Sequence, residues 1–302
     1  MLKEQAMKLV TTTDALEKRF GLKAAIRMIK EFGFDGYDCS LFESMKPSKP
    51  LGGFLPYPCN EPIHISYAKE IRAFADKIGI PCLQTHAPHP TFRKGRTPEE
   101  DINLQKMAID ISAILGAEII VIHPHCFEDI NYNFDKLYSI LIPYAKERGI
   151  RIACENMFKR HPETKEIFPA TCGTPEEFKS YIDFANDESF TACLDIGHTE
   201  LTNTAGAVNF IKALGHDRIS ALHIHDNDKK DDKHAFPFRG KINWDEVCRA
   251  LAEIDYKGNF TFEADAMNYP FPDELLPYTF ELLEKTGRYL ISKIEKYKSE
   301  VK

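Results

Sequence analysis

The sequence predicts a closed (β/α)₈ barrel, and three observations predict it. Short apolar runs rich in β-branched and aromatic residues alternate with longer amphipathic segments, and there are eight such runs. The chain has 302 residues, 43% of them hydrophobic, enough to bury one large α/β core. No Gly-x-Gly-x-x-Gly follows the first run, where a doubly wound nucleotide-binding sheet usually carries one. One domain over 1–302 is expected, with a C-terminal helical extension from about 286 onward.

In chain order the runs are MKLVTTT (7–13), DGYDCSL (35–41), PCLQTHA (81–87), EIIVIHPH (118–125), IRIACENM (150–157), FTACLDIGH (190–198), ISALHIHDN (219–227) and NFTFEAD (259–265). Between them lie helical patterns such as DINLQKMAIDISAILGA (101–117), FDKLYSILIPYAKERG (134–149) and NWDEVCRALAEIDYKG (243–258). In the last, Val247, Leu251 and Ile254 recur at helical spacing. Helix ends are expected at Gly33, Gly79, Gly116, Gly149 and Gly258, because glycine takes the left-handed conformation that closes a helix. Thr174-Pro175-Glu176-Glu177 reads as a helix start, with a Thr cap and Pro in the first turn. The Pro- and Gly-rich stretch 47–62 falls after the second run, so it lies over one rim, and its Phe54 and Tyr57 are expected pocket walls. The end, 286–302, carries Leu290, Ile291, Ile294 and Tyr297 on one face, to pack on the barrel or to meet a second subunit of a homo-oligomer.

Composition narrows the function classes. The net charge is −7 and the isoelectric point about 5.9, which argues against a nucleic-acid partner, since such binding rests on neutralising phosphates. No apolar run approaches the ~20 residues that a membrane helix needs, and the first residues, MLKEQAMKLV, lack the apolar core of a signal peptide. The eight cysteines form no Cys-x-x-Cys pair, and several sit inside apolar runs. A cytoplasmic protein with no membrane partner and no disulfides is the expectation.

The polar residues then fall into a pattern. In such barrels the chemistry sits at the C-terminal ends of the strands. Here the third run ends at His86, with His89 beyond, and the fourth at His123 and His125. The fifth ends at Glu155-Asn156 and the sixth at Asp195 and His198. The seventh ends at His223 and His225, and the eighth at Glu263 and Asp265. Taken singly, each has an ordinary explanation as a cap or a rim ion pair. Together they crowd carboxylates into one small volume, where they repel and resist ionising unless a cation is present. Carboxylates with imidazole suit one divalent ion such as Mn²⁺, Mg²⁺, Co²⁺ or Zn²⁺.

Several motifs carry a family resemblance: ENM at 155–157, LDIGH at 194–198, HIHDND at 223–228, DDKHAFPFRGKINW at 231–244 and FEAD at 262–265. The chain resembles the xylose-isomerase-like TIM barrels, which include sugar phosphate isomerases/epimerases and endonuclease IV. The resemblance implies a metal site on Glu155, Asp195, His225 and Glu263, His225 being the second imidazole of the His-Ile-His string. It implies a metal-dependent isomerase or epimerase of a carbohydrate, working by proton transfer through a cis-enediolate. Glu155 and Glu263 are then the acid–base pair, and His86, His123, His198 and His234 line the substrate. Arg239 is the nominee for a substrate anion, with Phe236 and Phe238 as further walls. The ketose 3-epimerase branch is reproduced incompletely. Asp231 stands where that branch has Arg, and His161 where it has an acid. Two rivals stand beside this reading. One is a polyol dehydratase or lyase of the inosose type. The other is an endonuclease IV-like enzyme with three metals, for which His86, His123, Glu155, Asp195, His198, His225, Asp232, His234 and Glu263 supply the ligand set.

Overall fold

Each β-rich run becomes a strand of one parallel sheet. The strands are β1 (Leu9–Thr12), β2 (Gly36–Ser40), β3 (Cys82–His86), β4 (Ile119–Val121), β5 (Arg151–Glu155), β6 (Phe190–Asp195), β7 (Ile219–His223) and β8 (Phe260–Phe262). The computed structural model describes residues 6–44, 61–92, 96–126, 128–201, 205–264 and 266–301. Neighbours pair in the order β8-β1-β2-β3-β4-β5-β6-β7. The sheet closes where Ile224, just past β7, bridges to Phe262. Helices follow as α1 (Leu22–Glu31), α2 (Glu61–Ile78), α3 (Pro98–Leu115), α4 (Ser139–Lys146), α5 (Pro175–Ala185), α6 (Ala207–Arg218), α7 (Trp244–Glu253) and α8 (Leu276–Val301). This is a (β/α)₈ barrel, not a doubly wound sheet. Phe54, Tyr57 and Asp265 lie outside the described residues.

Alternation along the strands sorts the side chains. Ile120, Ile152, Leu194, Leu222, Phe260 and Phe262 face the helices and join the large outer core. Ile119, Val121, Ala153, Cys193 and Ala221 face inward and form a small apolar plug low in the barrel. Two residues further along the inward register stand Glu155, Asp195 and His223. The same two-residue period that buries the plug therefore aims the polar set at the rim.

Several local readings change. The fourth strand stops at Val121, and His123 and His125 lie beyond it. The sixth passes straight into a short helix, Ile196–Leu201, so His198 is held by a helix and not by a loop. The segment 134–149 opens with a π-helical stretch, Phe134–Tyr138, before α4, which contains Pro143. After α7 the left-handed turn is made by Asp255 (φ 53°), not Gly258. Thr174 caps α5, its side chain accepting from the Glu177 N–H at 3.2 Å.

The last helix packs on the barrel. Leu276, Phe280, Leu283, Leu290, Ile294 and Tyr297 are all buried, and Lys298 Nζ donates to the Tyr256 carbonyl at 2.7 Å. Among the described residues no helix is long and apolar enough to cross a membrane.

Candidate functional site

The strand ends open into a cavity of about 460 Å³. His86, His89, His123, Glu155, His198, Asp232, His234 and Glu263 line one part of it. Asp195, His223 and His225 lie just beneath, each fully buried. His223 and His225 both point inward because they are two residues apart on one strand line.

The loop after β7 is organised by Asp226. Its Oδ1 accepts from the Asn227 and Ile242 N–H groups at 2.8 and 3.2 Å. Its Oδ2 accepts from the Phe238 N–H and from the Trp244 indole, each at 2.9 Å. This explains two letters of the motifs as scaffolding: Asp226 and Trp244 fix the loop that carries Asp232 and His234. Gly240 is required there, since a Cβ would lie 2.1 Å from the Asn227 carbonyl oxygen. The glycine of LDIGH is required for a different reason. A Cβ on Gly197 would lie 1.9 Å from the His225 ring, so that imidazole occupies the space a side chain would take.

Three imidazoles are oriented alike. The Nδ1 of His86 lies 2.9 Å from the Ala87 carbonyl, that of His198 2.9 Å from the Asn156 carbonyl, and that of His234 2.7 Å from the Glu263 carbonyl. A carbonyl only accepts, so each ring carries its proton on Nδ1. Each Nε2 then faces carboxylate: His86 on Glu155 at 3.4 Å, His198 on Asp232 at 3.5 Å and His234 on Asp232 at 3.0 Å. A lone pair aimed at a carboxylate is repulsive unless a proton or a metal ion sits between them.

His223 differs. Gln84 Nε2, which can only donate, contacts Asp38 Oδ2 at 2.8 Å and His223 Nε2 at 3.1 Å. In the neutral His223 ring the proton is therefore on Nδ1, which lies 3.3 Å from Glu155 Oε2 and 3.2 Å from Glu263 Oε2. His225 Nε2 lies 3.0 Å from Asp195 Oδ1 and 3.6 Å from Asp232 Oδ1.

The electrostatics follow from this crowding. Burial pushes the Glu155 carboxyl up, but the His223 and His123 imidazoles outweigh it and hold it well below the usual range. Burial likewise opposes ionisation of Asp195, and His198 and His225 overcome it. Burial pushes His198 down, yet Asp195, Asp232 and Glu155 drive it up to about 10. His198 takes up a proton in answer to the surrounding carboxylates, the role a bound cation would otherwise fill.

Three groups of donors each keep their ligand atoms within 4.8 Å of one another: His198, His225, Asp232 and His234; His86, Glu155 and His223; and Glu155, Asp195, His223 and Glu263. The expected set of Glu155, Asp195, His225 and Glu263 is thus divided. Three of its members share a group with His223, while His225 joins the neighbouring group and touches the first through Asp195. His123 Nε2 lies 2.9 Å from Glu155 Oε2.

Other nominees lie elsewhere. Arg239 and Phe238 are exposed, and Phe236 is buried; none of the three lines the cavity. Asp226 holds that part of the loop through the Phe238 N–H, and the Phe238 ring lies 6.1 Å from that of Tyr289 on α8. His161 and Asp231 stand outside the cavity too, Asp231 paired with Arg160 at 2.6 Å. Conversely, Asp14, Lys18, Ser40, Phe42 and Tyr269 line it without having been anticipated. Asp38 and Gln84 were missed as well. Their signal was present, as polar residues on the inward register of β2 and β3. A larger cavity of about 580 Å³ near Glu200 and Lys212 carries charges that are already matched, as Lys212–Glu253 at 2.8 Å and Lys229–Glu200 at 2.7 Å.

The family model for xylose isomerase-like TIM barrels matches residues 26–286. An uncharacterized protein of Sinorhizobium fredii is 29% identical over 181 residues, 57% of this chain and 55% of its own length, so the match spans about half of that relative. A probable endonuclease 4 of Bacillus anthracis is 26% identical over 260 residues, 76% of this chain and 82% of its own. Of solved structures, a D-tagatose 3-epimerase-like protein superposes with a TM-score of 0.65 at 23% identity, over 92% of this chain and 99% of that one. The IOLI protein with a bound zinc atom gives 0.68 at 18% identity, over 96% and 99%. At these identities the superpositions establish the shared fold.

Proposed function

The chain belongs to the xylose isomerase-like TIM barrel family, and on that premise we propose a divalent-metal-dependent isomerase or epimerase of a carbohydrate. The observation that carries it is the pair Glu155 and Glu263, brought from β5 and the end of β8 to either side of one His223 Nδ1, at 3.3 and 3.2 Å. Two carboxylates converging on one point at the cavity floor suit removal of a proton from carbon and its return. The sugar-epimerase names among the structural neighbours support the same chemistry.

The donor chemistry fits a divalent ion held by Glu155, Asp195, His225 and Glu263. His225 is preferred to His223 because Gln84 consumes the His223 Nε2 lone pair and leaves a proton on Nδ1. When bound, the ion supplies Lewis-acid polarisation of a substrate carbonyl. The chain's own residues do the rest. One of Glu155 and Glu263 takes the proton from carbon, giving a cis-enediolate, and a carboxylate returns it. His198 and His234, their Nδ1 atoms fixed by backbone carbonyls, present Nε2 to substrate hydroxyls. The test is incubation of the metal-loaded enzyme with ketoses, aldoses and their phosphates in deuterated water. Carbon-bound deuterium in one of them is expected, and its absence from all of them would sink the proposal.

A second reading is favoured by one observation. The His198–Asp232–His234 and His86–Glu155 groups lie beside the first, as a site for more than one ion requires. That suits a multi-metal phosphoester hydrolase, in keeping with the endonuclease 4 relatives. Metal analysis separates the two. About one ion per chain supports the isomerase, and three with nicking of an abasic duplex supports the hydrolase.

A further inference from the structure

We propose that the end of the cavity formed after β1, β2 and β8 is a subsite for the uncharged, hydroxylated end of a sugar, so that the substrate is a free sugar or polyol and not its phosphate ester. The proposal rests on the carbohydrate reading above. It is carried by Asp14, Lys18, Ser40 and Tyr269, all of which line the same cavity as Glu155 and Glu263.

Two polar atoms there lack partners among the described residues. Ser40 is 2% exposed, and its Oγ makes no hydrogen bond. Asp14 Oδ1 is buried and accepts none. Leaving such groups unmatched is costly, so a ligand that matches them gains affinity. The positive charge, by contrast, is already spent. Lys18 Nζ lies 2.6 Å from Asp14 Oδ2 and 2.7 Å from the Tyr269 hydroxyl, which itself donates to Asp14 Oδ2 at 2.9 Å. Lys18 is the one Lys or Arg among the described residues lining the cavity.

A sugar hydroxyl donates and accepts at once. One hydroxyl can give its proton to Asp14 Oδ1 while a neighbour bonds to Ser40 Oγ. A phosphate dianion offers only acceptors. At this end it meets a carboxylate whose cation is engaged, and like charges in a partly enclosed site disfavour each other. The same four side chains thus admit a diol and reject its phosphate ester.

The experiment uses metal-loaded protein with the deuterium panel and, in parallel, calorimetric binding of D-glucitol and D-glucitol 6-phosphate. The free compounds should bind and exchange at least about tenfold better than their phosphates, as loss of one buried hydrogen bond to a charged group implies. Asp14→Asn should narrow that ratio by about tenfold. Ser40→Ala should weaken the free compound and leave the phosphate unchanged, with unfolding curves of both variants confirming the fold. A wild-type preference for the phosphate ester, or a ratio untouched by Asp14→Asn, overturns the subsite and leaves the isomerase standing. D-glucitol bound through Asp14 and Ser40 with no exchange anywhere in the panel does the reverse.

Discussion

Carboxylates at the two ends of the barrel live under opposite conditions. Asp35 precedes β2, at the end away from the cavity. Arg288 of α8 reaches it with Nη1 at 2.6 Å from Oδ2 and Nη2 at 3.0 Å from Oδ1, and the Leu9 N–H adds a bond of 2.7 Å. Its charge is answered by a guanidinium and a backbone donor. Glu155, Asp195, Asp232 and Glu263, at the other end, have imidazoles as their only cationic partners among the described residues, with the His198 N–H adding a bond of 2.7 Å to Asp195 Oδ1. An arginine keeps its charge at all ordinary pH values and closes a site to cations. An imidazole gives up its proton and becomes a ligand. The first arrangement ties α8 to the sheet; the second holds a place for a metal ion.

The strongest way to break this comparison is to neutralise one carboxylate at each end. Glu155→Gln and Glu263→Gln should each cut carbon-bound deuterium exchange by about 10²–10⁴-fold, because an amide keeps the shape but accepts no proton. In metal-free protein Glu155→Gln should also lower unfolding stability, since the buried imidazoles that hold its carboxyl well below the usual range lose their partner. Asp35→Asn should lower stability as well but spare exchange. If Asp35→Asn cuts exchange as deeply as the Gln variants, or the Gln variants leave exchange intact, the contrast fails.

Adding metal sharpens it from the other side. An ion at a hundredfold excess over its Kd should stabilise the protein by about 2.7 kcal/mol, read as a higher Tm. Asp195→Ala should cancel the shift, and a chelator should reverse it in wild type. An unchanged Tm on loading with Mn²⁺ or Zn²⁺ would count against the site.

The smallest effect concerns acid. Burial pushes Asp35 up, but the Arg288 and Leu9 bonds prevail and hold its pKa below the ordinary value. Stability from the pair is therefore full above the unfolded carboxylate pKa near ~4 and is lost as pH falls through the lower folded value. Arg288→Ala should cost about 1–2 kcal/mol at pH 7, given the half-exposed position, and less at pH 3. Denaturant unfolding at the two pH values checks the sign.

How much of this was legible in the sequence differs between the levels. The alternation of runs encodes the barrel because each strand must bury both faces while each helix buries one. The rim donors were legible as polar residues closing apolar runs, at Glu155, Asp195 and Glu263. The choice between His223 and His225 was not legible from spacing, as both fall on one inward line. It turns on Gln84, from a strand far off in sequence, and on the Asp38 that holds it. The Asp14–Lys18–Tyr269 cluster was hidden for the same reason, since Lys18 and Tyr269 are 251 positions apart. Arg239 misled because a motif gives order along a loop and not the direction in which Asp226 folds it.

One bond of that loop has an optical consequence. Trp244 is the only tryptophan in the chain, and its indole N–H is held by Asp226, the residue next to His225. Buried at the start of α7, it does not line the cavity among the described residues. Its emission thus comes from a single fluorophore wired by one hydrogen bond to the strand end that carries the imidazoles. The native protein contains its own label for metal titrations, with no dye to attach and no second indole to subtract.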